Sequence, residues 1–484
     1  MSNSIITSLF WVRKNWARSI PLEYETINNI EENPKIKKIS KVTKKLKEEG
    51  KLKGNETIKE STRIISENME IEKEENDENI QMPIFCEDLK NYYTKEEKNE
   101  ISENEKNMPE YFDEISEEEL DDFTIHPKDS LLVCGTAQDD FSNLEIYLYD
   151  ENNLNLFVHH DIVLSSFPLS LEWLPFKNNN KCNYCLVGSF TPGIEIWNLD
   201  LLDALEPEII LGNYNEKNIN NINTDFIHTD AVMSISLNQK NPNLIASSGA
   251  DSKILIWDLN SPPNNSKVCY KEHNGKVQSV KWNKIEDNLL VSGSFDKTIK
   301  IFDVRTGKSI FTYNIQNDIE CIDWSSNDNY KMLFSFEDGR IQLFDLKMFT
   351  PLANFEGHKK EATSISFSPQ INSLFSSVGR DGRVKIWDYQ NINSDNNGNL
   401  IPTLVLEKYI KKSTGELFTC KFSDDCNYTI AIGGSKGELF IWQLEESPIF
   451  CSKYNLKYEE EDVPEYLKNI PHKKRVAMRK GKKK

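Results

Sequence analysis

Three sets of histidine, serine and aspartate, the residue types of a nucleophilic catalytic triad, recur in the sequence at one fixed spacing. In each set the serine lies 19 residues after the histidine, and the aspartate lies four residues after the serine. An active site needs one such set, so three equally spaced copies indicate a repeated structural element, and no enzymatic activity is expected. The sets are His228, Ser247 and Asp251; His273, Ser292 and Asp296; and His358, Ser377 and Asp381.

A structural role explains these residues if each aspartate binds its histidine, the histidine binds the serine, and the serine binds a tryptophan indole six residues beyond the aspartate. Only two sets contain all four members, because Phe302 cannot donate a hydrogen bond and Ile315 takes the histidine position in the repeat of Asp338. The two complete tetrads predicted are His228, Ser247, Asp251 and Trp257, and His358, Ser377, Asp381 and Trp387.

The elements that carry these residues repeat with the period of a propeller blade. Trp257, Phe302, Phe344 and Trp387 are 45, 42 and 43 residues apart, within short β-branched and aromatic runs. Weaker copies end at Tyr149, Trp197 and Trp442. We therefore predict an all-β fold, a seven-bladed β-propeller over residues 123–456. The seven repeats end in Ile-Trp-Asp or a variant of it and resemble the WD-repeat family. The pattern leaves open whether residues 448–456 or a strand from before Phe123 closes the ring.

The remaining residues differ sharply in charge from the predicted propeller. The 484-residue chain has a formal net charge of -19, which argues against a uniformly basic nucleic-acid binder. Residues 66–122 contain 22 acidic and 5 basic residues, whereas residues 35–53 contain nine lysines and two glutamates. Such like-charge blocks predict disorder. The predicted segments are 1–24, a short tryptophan-containing docking element; 25–122, a disordered linker, basic and then acidic; and 457–484, an acidic-to-basic tail.

Other residues that could bind a metal do not form a convincing site. Cys182 and Cys185 have no second pair or histidine cluster at zinc spacing. His159 and His160 are neighbours in a predicted strand, where alternate side chains point to opposite faces, so we expect that they cannot share one ion. No phosphate-binding loop and no stretch of 18 apolar residues is present. We expect no metal, cofactor, small-molecule substrate or membrane partner.

Two longer stretches resemble a known family. FVHHDIVLSSFPLSLEWLPF at 157–176 and GIEIWNLDLLDALEPEIILG at 193–212 are similar to the signature of the periodic tryptophan protein 1 family of WD-repeat proteins. The region KDSLLVCGTAQDDFSNLEIYLYD, the sequence HTDAV at 228–232 and the opening SLFWVRKNWARSIPLEYE fit the same family. The acidic linker matches only in composition. The loop before blade three is Asn-rich where relatives carry a lysine run.

The resemblance implies a non-enzymatic scaffold factor in ribosome biogenesis. It implies action in early large-subunit precursor assembly and rRNA processing, and a location in the nucleus, within the nucleolus. Implied partners are other ribosome assembly factors and pre-ribosomal RNA. The alternative is a chromatin or histone-binding regulator of ribosomal DNA transcription, and a third reading is a generic adaptor. Which partners bind, and to which face, is open at this stage.

Three groups of residues outside the repeats are candidate sites. Trp11, Arg13 and Trp16 suit docking to a partner, with packing of a tryptophan back on the propeller as the alternative. Ser102 and Ser116 precede acidic residues and are candidate phosphorylation sites. A basic tail suits RNA binding or localisation, and its candidate residues are Lys473, Lys474, Arg475, Arg479, Lys480, Lys482, Lys483 and Lys484.

Overall fold

The computed structural model of the chain describes residues 4–19, 22–23, 124–139, 141–151, 153–177, 180–202, 204–212, 224–394 and 400–456. The chain divides into two compact units. The first contains residues 1–18, 126–200 and 204–484, and the second contains residues 19–125 and 201–203. In the second unit, β2 (Leu22–Glu23) pairs in parallel with β9 (Leu201–Leu202), and the amide of Ile125 donates to the carbonyl of Ser19 at 2.8 Å.

The described residues of the first unit form a propeller of seven antiparallel sheets, which confirms the predicted fold. The strands of each blade are given from the innermost outward. The first blade contains β1 (Ser4–Val12), β3 (Ser130–Gln138), β4 (Phe141–Asp150) and β5 (Asn155–Leu164). The second contains β6 (Pro168–Lys177), β7 (Asn180–Ser189), β8 (Ile194–Asn198) and β10 (Ile209–Leu211). The third contains β11 (Val232–Leu237), β12 (Leu244–Gly249), β13 (Ile254–Asp258) and β14 (Val268–Tyr270).

The remaining blades follow the same order. The fourth contains β15 (Val277–Trp282), β16 (Leu289–Ser294), β17 (Thr298–Asp303) and β18 (Lys308–Asn314). The fifth contains β19 (Ile319–Trp324), β20 (Lys331–Phe336), β21 (Arg340–Asp345) and β22 (Thr350–Glu356). The sixth contains β23 (Ser364–Phe367), β24 (Leu374–Val378), β25 (Arg383–Ser394) and β26 (Leu400–Tyr409). The seventh contains β27 (Leu417–Phe422), β28 (Thr429–Gly434) and β29 (Phe440–Gln443).

The described helices are short. They are α1 (Lys411–Thr414), α2 (Pro448–Tyr454) and 3-10 turns at Thr224–Phe226 and Leu444–Glu446. None of the helices in the described part of the chain is long and apolar enough to cross a bilayer.

The hydrophobic core lies between neighbouring blades. One cluster joins Leu186 and Ile194 of the second blade to Val232, Ile235 and Trp257 of the third, and all five side chains are buried. The aromatic residues that mark the repeats lie on the third strand of each blade, where they are buried between sheets. The period seen in the sequence is therefore the spacing of one packing position from blade to blade.

The ring closes at an unexpected strand. β1 pairs with β3, from Ser4 opposite Gln138 to Val12 opposite Leu131, and so forms the innermost strand of the first blade. It contacts the innermost strands of both neighbouring blades, β6 and β27. Residues 1–24 are therefore not a separate docking element, because nine of them belong to the propeller. A strand from before Phe123 does take part in closure, but on the inside of a blade.

The seventh blade has three strands within the described residues. Where a fourth, outer strand could follow, the chain forms α2 instead, so residues 448–454 do not supply the last strand. Phe450 of α2 is buried in a cluster with Trp442 of β29 and Leu444. This cluster also contains residues of the sixth blade, so α2 packs on the seam between the last two blades.

Loops emerge on two faces of the propeller. The bottom face carries the loops that join the first strand of a blade to the second and the third strand to the fourth. The top face carries the loops that join the second strand to the third and one blade to the next. Residues 13–129 join β1 to β3 and therefore begin and end at the bottom face. The predicted linker is thus an insertion within the first blade, attached to it at both ends. The structure of residues 24–123 lies outside the described part of the chain.

Candidate functional site

The two predicted tetrads are present as continuous hydrogen-bonded networks. In the third blade, His228 Nδ1 lies 3.1 Å from Asp251 Oδ1, His228 Nε2 lies 2.7 Å from Ser247 Oγ, and the Trp257 indole N–H donates to Ser247 Oγ at 2.8 Å. The sixth blade repeats this arrangement. His358 lies 3.1 Å from Asp381 and 2.8 Å from Ser377, and the Trp387 indole donates to Ser377 at 2.9 Å.

The two incomplete sets make the hydrogen bonds that their residues allow, and each contains one further hydrogen bond. His273 lies 2.9 Å from Asp296 and 2.7 Å from Ser292, and Thr298 makes a further hydrogen bond to Asp296 at 2.6 Å. In the fifth blade the amide of Asn317 donates to Asp338. Asn317 lies two residues after the position expected for a histidine. Its side-chain amide therefore makes the contact to the aspartate that a histidine makes in the other blades.

These networks are structural, because their members have no capacity left for a substrate. Ser247 and Ser377 have 0% exposure, and both nitrogens of each tetrad histidine have partners. Burial favours a higher pKa for Asp251 and Asp381, but the hydrogen bonds and charges of His228 and His358 outweigh it and lower each pKa to about 2. The aspartates are therefore ionised links between a turn and a strand.

The N-terminal tryptophans do not form the exposed pair that docking to a partner would require. Trp11 has 8% exposure, lies in a cluster with Ile6, Leu9 and Tyr149, and donates its indole N–H to the carbonyl of Lys421 at 3.2 Å. Its location corrects the docking prediction for this residue, since a side chain inside the core cannot meet a partner. It matches the alternative in which a tryptophan packs back on the propeller.

The residues after Trp11 run across the bottom face. Trp16 packs edge-on against Trp173 at 5.3 Å between ring centroids, and Lys181 lies 5.0 Å from its ring. Arg13 is half exposed and lies 3.8 Å from Asp424 of the seventh blade. Of the three docking candidates, Arg13 is the one that offers an exposed side chain, and its role in docking stays a proposal.

The paired histidines are closer than the strand rule predicts. A β-bulge in the pairing of β4 with β5 lies between Ile146, which is opposite His160, and Tyr147, which is opposite Val158. The extra residue, His159, therefore leaves the strict alternation of side chains. Its Nδ1 lies 2.8 Å from Nδ1 of His160. Burial and the neighbouring ring lower the pKa of His160 to about 3, so this imidazole is neutral.

The cysteine pair on β7 does not form a metal site. The Cys182 thiol donates to the carbonyl of Leu174 at 3.5 Å, and the Cys185 thiol donates to the carbonyl of Leu186 at 3.6 Å. Burial raises the pKa of Cys185 well above its ordinary value. Across the described ranges, no group of three or more His, Cys, Asp or Glu side chains is arranged to hold a metal ion.

Several predicted residues fall outside the described part of the chain. They are the phosphorylation candidates Ser102 and Ser116 and all the basic tail residues from Lys473 to Lys484. The expectations for them remain predictions.

One feature of the top face was not predicted from the sequence. Six of the seven innermost strands carry a β-bulge near their beginning, one residue after the first paired residue in five of them and three residues after Ser4 in β1. In the sixth blade the Thr363 amide donates to the carbonyl of Val378 at the equivalent point. These seven partly exposed residues lie near the top ends of the innermost strands, and we call this part of the propeller the channel mouth. They are Thr7, Leu169, Met233, Gln278, Glu320, Thr363 and Phe418.

The channel mouth contains two hydrogen-bond acceptors in adjacent blades. Burial of the Glu320 carboxyl raises its pKa to about 7, with nearby Arg380 and Lys276 opposing this rise. The amide oxygen of Gln278 is buried and has no hydrogen-bond partner. A single glutamate in a strand gives no signal in a sequence, and the bulge at Glu320 is visible only in three dimensions.

Comparison with known proteins supports a WD-repeat assignment. The family model of the anaphase-promoting complex subunit 4 WD40 domain matches residues 235–327, and the model of the WD domain, G-beta repeat, matches residues 349–388. A WD repeat-containing protein of Schizosaccharomyces pombe is 35% identical over 366 residues, which cover 73% of this chain and 68% of the relative.

Two further relatives carry a more specific name. The periodic tryptophan protein 1 homolog of Drosophila melanogaster is 23% identical over 71% of this chain and 71% of its own length. Periodic tryptophan protein 1 of Saccharomyces cerevisiae is 25% identical over 68% of this chain and 66% of its own length. Together with the seven-bladed propeller and the matched WD repeats, these similarities identify the chain as a member of the periodic tryptophan protein 1 family of WD-repeat proteins.

Proposed function

We propose that this protein is a non-enzymatic scaffold in ribosome biogenesis, acting in early large-subunit precursor assembly and rRNA processing in the nucleolus. The observation that carries the proposal is its similarity to the periodic tryptophan protein 1 relatives across about 70% of the chain. The family resemblance implies this role.

The chemistry of the propeller is consistent with a scaffold. The only repeated sets of catalytic residue types in the described blades hold turns to strands, as the tetrad of His228 does. A propeller offers two faces and an outer edge, and other ribosome assembly factors are the proposed partners on them. The charged segments beyond the propeller add further contacts for these partners.

The basic tail is the proposed contact to pre-ribosomal RNA. Its eight basic residues between 473 and 484 can each neutralise a phosphate. For single-stranded RNA, each neutralised phosphate contributes about 0.7 to the slope of log affinity against log salt. If the tail acts only as a nuclear address, its removal leaves this slope unchanged.

The tail experiment uses RNA affinity measured across a salt series. Deletion of residues 472–484 should lower both the affinity and the slope. The matched control replaces the nine lysines of residues 35–53 by glutamine, which removes a similar charge elsewhere. A slope that falls equally in the control would assign RNA binding to the net charge of the chain rather than to the tail.

The function itself is tested by sedimentation. A tagged full-length protein should sediment with large-subunit precursors, cross-link to their RNA, and lose this association on RNase treatment but not on DNase treatment. The net charge of -17 in residues 66–122 favours a second candidate, a regulator that binds basic histones on chromatin. That function predicts the opposite nuclease sensitivity, with DNase releasing the protein and RNase leaving it bound.

A further inference from the structure

The channel mouth brings together two acceptors that lack donors. Glu320 is the one ionisable residue among its seven members. Burial and the charges of neighbouring residues act on its carboxylate, and within the described part of the chain no side chain donates a hydrogen bond to it. Gln278, in the adjacent blade, has its amide oxygen buried without a donor. A buried polar atom without a partner is costly, so the Gln278 oxygen favours a ligand that donates hydrogen bonds, and the partly exposed Glu320 carboxylate attracts a cation.

The nearby cations do not fill this need. Arg380 lies 3.8 Å from Glu361 and stacks 5.9 Å from the centre of the Phe418 ring. Lys276 lies 4.0 Å from the centre of the Phe295 ring, and burial lowers its pKa. Both side chains are thus directed to aromatic rings. Two further carboxylates, Glu337 and Glu361, act on Glu320, so this region carries more negative than positive groups.

Most of the rest of the channel mouth is apolar, and the hydroxyl groups of Thr7 and Thr363 donate to backbone carbonyls. Leu169, Met233 and Phe418 occupy three of its seven positions, and all three are partly exposed. They would cover the methylene groups of a long side chain whose charged end reaches the two acceptors. A phosphate group fits poorly here, because it has no hydrogen to donate and would meet the charge of Glu320.

We propose that the channel mouth binds an arginine side chain of a peptide partner, with its guanidinium donating to the Glu320 carboxylate and to the amide oxygen of Gln278. A guanidinium has five N–H donors in one plane, so it can bridge acceptors on two blades. The inference rests on the proposed scaffold function for the assumption that a protein partner docks on the propeller. It adds the chemistry of that partner, a basic segment presenting arginine.

The test measures binding of a fluorescein-labelled glycine–serine peptide with one central arginine to the full-length protein. A second peptide carries citrulline, which has nearly the same shape and no charge. Glu320→Gln removes the central carboxylate, and Gln278→Leu removes the amide acceptor. The matched control is Glu356→Gln, since Glu356 is an exposed residue at the end of the outer strand β22 in the same blade as Glu320.

We expect the arginine peptide to bind at least about tenfold more tightly than the citrulline peptide, because charged pairs with hydrogen bonds are the stronger kind. Glu320→Gln should abolish this preference, Gln278→Leu should reduce it, and Glu356→Gln should leave it intact. The affinity of the unmodified protein should rise between pH 6 and pH 8 as Glu320 ionises, whereas that of Glu320→Gln should stay constant.

Two outcomes would overturn the proposal. One is equal binding of the arginine and citrulline peptides; the other is an equal effect of Glu320→Gln and Glu356→Gln. Displacement of the peptide by single-stranded RNA, with tighter RNA binding by Glu320→Gln, would assign the channel mouth to RNA instead. None of these results bears on sedimentation with large-subunit precursors, so failure here is distinguishable from failure of the proposed function.

Discussion

The indole N–H of Trp11 donates a hydrogen bond of 3.2 Å to the backbone carbonyl oxygen of Lys421, which lies 410 residues further along the chain. This bond joins the first strand of the propeller to the innermost strand of its last blade. The same seam buries Ile6 against Gly433, where any side chain larger than hydrogen would lie 2.4 Å from Ile6. The two ends of the propeller sequence therefore close the ring together.

Replacement of Trp11 by alanine should destabilise the propeller strongly. Loss of a buried tryptophan side chain costs about 3–5 kcal/mol in the free energy of unfolding. Arg13→Ala is the control, because an exposed ion pair contributes about 0–1 kcal/mol. Thermal unfolding should show a large fall in melting temperature for Trp11→Ala and little change for Arg13→Ala. Equal melting temperatures would mean that β1 is not part of the folded ring.

A second test of ring closure cuts the chain instead of changing the core. A protease site engineered into residues 25–122 separates β1 from the rest of the propeller when cleaved. The N-terminal fragment should remain bound, because β1 pairs with β3 from Ser4 to Val12. With Ile6→Asp and Leu9→Asp in addition, a charged group would enter the core and the fragment should dissociate. Gel filtration after cleavage distinguishes the outcomes.

The sequence predicted the blades but not how the ring closes, and the reason is physical. Trp257 and Trp387 occupy one packing position in a repeated unit, so their spacing is visible as a period. β1 carries no repeat motif, and its partner β3 starts more than one hundred residues later, at Ser130. The close approach of His159 and His160 was missed for a related reason, since a bulge breaks the alternation on which the prediction depended.

The tetrads allow a graded prediction for blade stability. Trp257→Phe removes the indole N–H that donates to Ser247 and leaves a smaller aromatic ring, as in the natural Phe302 of the fourth blade. One lost hydrogen bond costs about 0.5–1.5 kcal/mol. His228→Ala should cost more, because it removes two contacts of the network, one to Asp251 and one to Ser247. Urea unfolding should rank the two variants in this order; an equal effect would indicate that the network is not connected through the histidine.

The lowered pKa of Asp251 and Asp381 links the same networks to acid stability. Each pKa is about 2 in the folded chain, against an ordinary value of 3.8. A carboxyl group with a lowered pKa adds stability above its unfolded value and loses it as the pH falls through the folded value. The contribution, about 2 kcal/mol for each aspartate, should therefore disappear between about pH 4 and pH 2.

The measurement compares Asp251→Asn with the unmodified protein. The difference in melting temperature should be large at pH 6 and should shrink as the pH falls from about 4 towards 2. A difference that does not vary over this range would show that the charge of Asp251 does not stabilise the fold. Asp381→Asn, in the equivalent tetrad of the sixth blade, should follow the same curve.

Glu320 should have the opposite effect on stability, because its pKa is raised. The pKa of about 7 against an ordinary 4.5 means that the folded protein holds this proton more tightly than the unfolded chain does. Stability should therefore fall as the pH rises from about 4.5 to about 7 and then level off.

Glu320→Gln keeps a neutral group at all pH values, so its melting temperature should equal that of the unmodified protein near pH 4.5 and exceed it at pH 8. We expect a gain on the order of 1 kcal/mol, since the partial exposure of Glu320 reduces the cost of the charge. Glu356→Gln should show no such pH dependence. A Glu320→Gln variant that is less stable at pH 8 would mean that the carboxylate already has a partner in the folded protein, so that one of the two acceptors on which arginine binding depends would not be available.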